Sequence, residues 1–200
     1  MFNEPLHLNL PEGEECFSYY PQFMESEVAN SLFNSLKMEI NWQHLPIVLF
    51  GKKVLQPRLT AWCALDNKSY AYAGLKMSVQ DMPDYLYVWM QKIGNQCGET
   101  FNSVLLNYYR DGNDSMGWHR DNEPELGNHP TIASLSLGEA RQFSIRKYKQ
   151  HEVKAKLMLQ HGSLLVMRNQ SQQLFEHALP KSKRMNGPRI NLTFRKIITD

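Results

Sequence analysis

The sequence predicts an α+β fold, with two amphipathic helices ahead of many short strands that read as a sandwich or barrel. Three observations predict it. Apolar residues recur at helical spacing in two stretches of the first half. β-rich runs follow one another from about residue 103. Turn-forming residues separate those runs at short intervals. The 200 residues suit one domain. Residues 1–102 read as an N-terminal extension with the helices, and 103–200 as a β-rich core, the two packed as one compact domain.

The first helix runs from Ser26, placed to cap it, to about Ile40, with Glu27 in its first turn. Val28, Leu32, Phe33, Leu36 and Ile40 form its apolar stripe. The second starts after Pro83 and Asp84, carries Leu86, Trp89, Met90 and Ile93, and stops near Gly94. The strands follow as Ser103–Tyr109, Thr131–Leu137, Gln142–Tyr148, Val153–Leu159, Ser163–Met167, Phe175–Leu179 and Arg189–Lys196. Turn signals between them include Asp111-Gly112-Asn113, Gly138, His161-Gly162 and Asn186-Gly187-Pro188. Two helices in front of such strands predict helices that buttress one outer face.

Composition is that of an ordinary globular chain, 42% hydrophobic and 21% charged, with a formal net charge of +2. That charge permits nucleic-acid binding without implying it. Cys16, Cys63 and Cys97 form no C-x-x-C pair, which argues against a disulfide scaffold or structural zinc and favours a reducing compartment. The acidic start of the chain lacks an apolar signal core. The apolar run Leu45 to Phe50 is too short to span a bilayer. A cytoplasmic or nuclear monomer without a membrane partner is the expectation.

The last strand carries the strongest chemical pattern. Arg189, Asn191, Thr193 and Arg195 alternate with Ile190, Leu192 and Phe194, so one face gathers two guanidiniums and an amide. A guanidinium fork grips a carboxylate with two parallel hydrogen bonds. In Trp118-His119-Arg120-Asp121, strand spacing puts His119 and Asp121 on one side, where they can occupy adjacent positions on a metal ion. One further histidine completes the facial triad of non-haem Fe(II) oxygenases. With His7 and His44 set aside, it comes from His129, His151, His161 or His177. His161 precedes Gly162 in a turn, whereas His177 lies in a strand twelve residues before Arg189, and is favoured.

These motifs together resemble the AlkB family of Fe(II)- and 2-oxoglutarate-dependent oxygenases. The resemblance rests on His119-x-Asp121, His177 and Pro188-Arg-x-Asn-Leu-Thr-Phe-Arg195. Leu106-Asn-Tyr-Tyr-Arg-Asp-Gly112, Ala133-Ser-Leu-Ser-Leu-Gly138 and His161-Gly-Ser-Leu-Leu-Val-Met167 support it. It extends from about Ile47 to Ile197 and looks closest to the DNA-repair branch. It implies a double-stranded β-helix, or jelly roll, with a nucleotide-recognition lid. It implies Fe(II) on His119, Asp121 and His177, and 2-oxoglutarate on Asn107, Tyr109, Arg189, Asn191 and Arg195, with O2 as the second cosubstrate. The implied reaction is oxidative dealkylation of 1-methyladenine and 3-methylcytosine in nucleic acid, DNA rather than RNA, with release of formaldehyde. An oxygenase of the same fold acting on RNA or protein, or a non-catalytic nucleic-acid-binding jelly roll, is the competing reading.

A ring nitrogen inside a duplex cannot reach a buried iron, so the base must be flipped or single-stranded. Ser69-Tyr-Ala-Tyr-Ala-Gly-Leu75 resembles the family's lid, with Tyr70 and Tyr72 as aromatic walls and Tyr72 stacking on the base. Leu49-Phe50-Gly51-Lys52-Lys53, with Arg58 downstream, resembles the wedge of a duplex-acting branch. Glu123 matches a residue at the base edge, although Asn122 stands where relatives often carry a second acid. Arg146, Lys147, Lys149, Lys181, Lys183 and Arg184 are candidates for phosphate contact.

Overall fold

The computed structural model describes residues 4–8, 10, 16–49, 52–65, 70–72 and 75–198. Its elements in chain order begin with strands β1 (Leu6–His7) and β2 (Phe17–Tyr20), helix α1 (Ser26–Glu39), and strands β3 (Pro46–Leu49), β4 (Lys52–Leu55), β5 (Leu59–Ala64), β6 (Tyr70–Tyr72), β7 (Leu75–Met77) and β8 (Val79–Gln80). Helix α2 (Asp84–Cys97) precedes β9 (Ser103–Tyr109), β10 (Met116–His119), β11 (Ile132–Gly138), β12 (Arg141–Lys147), β13 (Val153–Leu159) and β14 (Ser163–Met167). The short helix α3 (Ser171–Leu174), β15 (Phe175–Leu179) and β16 (Arg189–Arg195) complete the chain.

Eight strands form a large sheet in the order β1-β2-β14-β11-β16-β9-β5-β8, and four form a small one in the order β10-β15-β12-β13. Strands from before residue 103 therefore share the large sheet with later ones. Its pairings are antiparallel apart from β5 with β8. The pairs β3-β4 and β6-β7 stand as separate two-stranded hairpins.

Alternation along the strands builds three layers. Leu32 and Leu36 of α1 and Leu86, Met90 and Ile93 of α2 pack with Val104, Leu106, Leu135, Ile190, Leu192 and Phe194 on the outer face of the large sheet. This is the buttressing that the sequence predicts. The inner face looks toward the small sheet. At one end of that space Phe17, Leu165, Phe143, Ile145 and Phe175 close an apolar cluster. No helix among the described residues is long and apolar enough to cross a membrane.

The helix boundaries depart from expectation in two places. Ser26 is the first helical residue, and Glu25 takes the N-cap without a side-chain cap bond. The register this sets leaves Val28 exposed and buries Ala29 in its place. Helix α2 passes through Gly94 and ends a turn later, because Gly98 at φ 68° supplies the left-handed turn that terminates it. Position 94 inside the helix needs glycine because a Cβ there would collide with the Glu99 carbonyl.

Candidate active site

A bulge brings the two histidines together. Strand β10 pairs with β15 so that Met116 faces Leu179, but His119 faces His177. Continued without interruption, the first register would set Trp118 opposite His177. The extra residue shifts the phase and turns the His119 imidazole inward instead, as bulges do beside functional sites. The rings sit edge to face with centroids 4.2 Å apart. His119 Nδ1 lies 2.8 Å from the Gly117 carbonyl. A carbonyl can only accept, so Nδ1 carries the proton and Nε2 is left with its lone pair facing the site.

Asp121 lies beyond the end of β10, so strand spacing is not what brings it beside His119. Its backbone N–H donates to Gln172 Oε1 at 2.9 Å, and Gln172 is itself buried on α3. Its Oδ1 lies 3.0 Å from Arg195 Nη2 and 3.8 Å from His119 Nε2. The donor atoms of His119, Asp121 and His177 all fall within 4.8 Å of one another. Burial lowers the His119 pKa, and it drives that of His177 to about 3, with the neighbouring His119 adding to the effect. Burial alone would raise Asp121, but Arg195 and then the two histidines outweigh it and hold the carboxylate ionised. Two neutral imidazoles and one carboxylate are the form in which such a set takes a divalent ion, and Phe143 stacks on His177 at 5.1 Å behind it.

The opposite wall is the inner face of β9, β11 and β16. Their register places Tyr109 across from Arg189 and Asn107 across from Asn191. The cavity between the sheets holds about 480 Å3 of empty space, counting its mouth, and is lined by the three metal-site residues together with Asn107, Tyr109, Arg189, Asn191, Thr193 and Arg195. Arg189 is 1% exposed. One of its Nη atoms donates to the Ser136 hydroxyl, and its Nε has no hydrogen-bond partner. Burial lowers its pKa to about 10, which still leaves it cationic at neutral pH. A buried guanidinium with no ion-pair partner among the described residues, opening on a cavity beside a metal-type donor set, fits a ligand that binds the ion at one end and carries a carboxylate at the other. The residues present thus suit Fe(II) and 2-oxoglutarate together.

The other expected residues fall into distinct places. Asn191 spends its amide on Ser134, Leu135 and Thr193, so it braces the wall. Asn107 accepts from Arg58 Nε at 2.7 Å. Arg58 is 3% exposed and reaches the site from behind Asn107. Glu123 is half-buried at the start of a 3-10 turn, Pro124–Leu126, outside the cavity lining. Tyr70 and Tyr72 belong to hairpin strand β6, with their side chains outside the description, and Phe50 lies outside the described residues. Arg146 stands over the Trp118 ring and pairs with Glu176 at 3.2 Å. Gln172, Phe143, Ser134 and Ser136 were not expected as site residues. The two serines alternate along Ala133-Ser-Leu-Ser-Leu-Gly138, a polar signal in an otherwise apolar strand. Gln172 carries no sequence signal.

A jelly roll holding two histidines, a carboxylate and a buried arginine defines a non-haem metal oxygenase with a keto-acid seat. Comparison with known proteins agrees. The family model for the 2OG-Fe(II) oxygenase superfamily matches residues 16–195. The mouse alpha-ketoglutarate-dependent dioxygenase alkB homolog 3 is 36% identical over 95% of this chain and 69% of its own length. The human DNA oxidative demethylase ALKBH2 is 36% identical over 94% of this chain and 75% of its own. The solved structure of OsALKBH1 superposes with a TM-score of 0.65 at 16% identity, covering 90% of this chain and 98% of that one, and so shares the fold. The chain belongs to the AlkB family of 2-oxoglutarate- and Fe(II)-dependent dioxygenases. Its cofactor is Fe(II), and its cosubstrates are 2-oxoglutarate and O2.

Proposed function

We propose that this chain repairs N-alkylated bases in DNA by oxidative dealkylation, removing the methyl groups of 1-methyladenine and 3-methylcytosine as formaldehyde. The observation that carries the reading is one shared cavity in which His119, Asp121 and His177 face the buried guanidinium of Arg189, whose Nε has no hydrogen-bond partner. The substrate class is supported by relatives whose names specify DNA oxidative demethylation. Iron held with 2-oxoglutarate would activate O2, which is the oxidant, and the keto acid would supply two of the four electrons that O2 takes up. One O2 and one keto acid become succinate and CO2, and one oxygen atom goes to the methyl carbon that leaves as formaldehyde.

The chain's own residues have separate tasks in this reading. His119, Asp121 and His177 hold the ion, and Arg195 with Gln172 orient the carboxylate of Asp121. Arg189 and Tyr109 seat the far carboxylate of the keto acid. Leu105, Met116, Phe143 and Leu179 line the cavity, and such walls exclude water from the reacting centre. Flipping the damaged base falls to the two hairpins. Phe50, next in sequence after β3, serves as the wedge, and every residue of β4 is exposed, as a projecting finger needs. Tyr70 and Tyr72 on β6 stack against the extruded base, and Glu123 reads its edge.

The test uses DNA and RNA oligonucleotides bearing 1-methyladenine or 3-methylcytosine, followed by mass spectrometry. The expected result is loss of one methylene unit from DNA, dependent on Fe(II) and 2-oxoglutarate, with formaldehyde in equal amount. Turnover confined to RNA would move the substrate to that polymer. A weak visible absorption band on anaerobic addition of both Fe(II) and 2-oxoglutarate tests the site itself, and its absence would leave only a binding module.

A further inference from the structure

Arg141 opens strand β12 and is fully buried, yet it does not line the cavity. Its guanidinium donates to three backbone carbonyls: Nη1 to Asp111 at 3.1 Å, and Nη2 to Asp114 and Pro180 at 2.8 Å each. All three acceptors are neutral. Among the described residues no carboxylate lies within ion-pair distance of Arg141. Asp114, Asp111 and Glu139 act on Arg141 only at longer range, and the Asp114 carboxylate is already forked onto Arg110.

Arg141 and Arg189 share one neighbour. The Arg189 guanidinium carbon lies 5.2 Å from the centre of the Tyr109 ring, and that of Arg141 lies 5.9 Å from it. Two fully buried cations therefore lie close to a single phenol ring, and among the described residues neither forms an ion pair. Burying like charges so close is unfavourable unless an anion completes the arrangement. Arg189 opens on the cavity and Arg141 does not, so only Arg189 can touch a ligand there.

We infer that Arg141 is a specificity-determining residue, whose charge, held beside Tyr109 and off the cavity, favours a 2-oxo acid bearing a second carboxylate over one with a neutral tail. The inference rests on Arg189 seating that carboxylate. The physical signature follows from range. Coulomb attraction falls only as the inverse of distance and remains substantial across one ring in a protein interior. Van der Waals contact with a neutral tail does not reach so far. Arg141 thus discriminates between ligands it never touches.

The experiment measures, by anaerobic calorimetry on the Fe(II)-loaded protein, the affinity for 2-oxoglutarate and for 2-oxopentanoate, which carries a methyl group where the second carboxylate stands. Arg141→Gln keeps a donor and removes the charge. The expected result is 2-oxoglutarate weakened on the order of tenfold, with 2-oxopentanoate within about twofold of the parent. Arg141→Lys, which keeps the charge, retains the parent's preference. Equal weakening of both acids in Arg141→Gln would make the residue a structural clamp and overturn the inference, as would no change in either. Should Arg141→Gln fail to fold, Arg141→Lys decides alone, since loss of the preference with the charge still in place refutes the claim. Arg189→Gln runs beside them. Unchanged 2-oxoglutarate affinity in that variant would overturn the seat itself, a failure separate from that of Arg141.

Discussion

The inner faces of the two sheets and the two isolated hairpins are built to opposite specifications. Strand β16 lies between β11 and β9, and β9 between β16 and β5, so each residue of the keto-acid wall is set by hydrogen bonds on both flanks. The metal-site histidines are likewise a cross-strand pair. Strands β3 and β4 form a two-stranded sheet of their own, as do β6 and β7, and a pair of strands contributes little independent stability. Under the proposed function the difference separates two jobs. Donor atoms for a metal must be held to a fraction of an ångström, and central strands do that. Opening a helix and cradling an extruded base calls for elements that project and adapt. Substitutions on the inner faces should therefore act on chemistry with every substrate, and those on the hairpins on recognition.

The largest effects test the first half of that contrast. Asp121→Ala or His177→Ala should abolish iron binding and lower formaldehyde release by about a thousandfold or more on single-stranded and duplex substrates alike. Retained metal affinity in either variant would break the assignment. Arg189→Gln should raise the dissociation constant for 2-oxoglutarate by roughly a hundredfold while leaving metal affinity near the parent's, because the lost partner of the ligand is charged and buried. Gln172→Leu removes the acceptor that holds the Asp121 backbone. It should weaken iron about tenfold while 2-oxoglutarate affinity at saturating iron stays near the parent value. An unchanged iron titration would demote Gln172 to packing.

Much of this rigid half was legible in the sequence, for a physical reason. In β16 one face meets helices and the other a polar cavity, so Arg189, Asn191, Thr193 and Arg195 stand out against Ile190, Leu192 and Phe194. Strands β9, β13, β14 and β15 matched their expected limits residue for residue. Strands β2 and β5 escaped notice because they are covered on both faces: all four residues of Phe17–Tyr20 are buried, and a doubly buried strand has no alternation to display. The bulge in β10 was equally hidden, since it exists only as a register against β15. Strand spacing therefore named the right partners, His119 and Asp121, while misstating how they meet. Gln172 sits in a four-residue helix, too short for periodicity, and its role comes from a contact with residue 121. The hairpins offered only the family likeness of Phe50, Tyr70 and Tyr72.

The recognition half predicts smaller and more selective changes. Phe50→Ala should reduce repair of duplex several-fold and leave single-stranded substrate nearly untouched, because only the duplex needs a plug for the emptied stack. Equal losses on both substrates would dissolve the distinction between the two regions. Affinity for duplex should also fall with salt, by a log-log slope of about −0.9 for each phosphate contact. Lys147→Ala should lower that slope by about one if the residue grips a phosphate.

The weakest effect belongs to the rim between the regions, where the chain leaves β9 for β10. Asp114 accepts from the Arg110 backbone N–H at 2.9 Å and from its Nε and one Nη at 2.8 Å. Burial by itself would raise the Asp114 pKa, but these bonds prevail and hold it below the ordinary 3.8. A carboxylate depressed by folding adds stability above its unfolded pKa and loses it as pH falls through the folded value. The Arg110 side chain is 45% exposed, so solvent screens the pair, and Asp114→Asn should cost only about 1 kcal/mol at neutral pH. The gap in melting temperature between parent and variant should narrow below pH 3.8 as the parent's carboxylate takes up its proton. A gap that stays constant down to strong acid would mean that Asp114 works through shape and not charge. Formaldehyde release should change little either way, since the Arg110 fork closes the turn between β9 and β10 and neither residue lines the cavity.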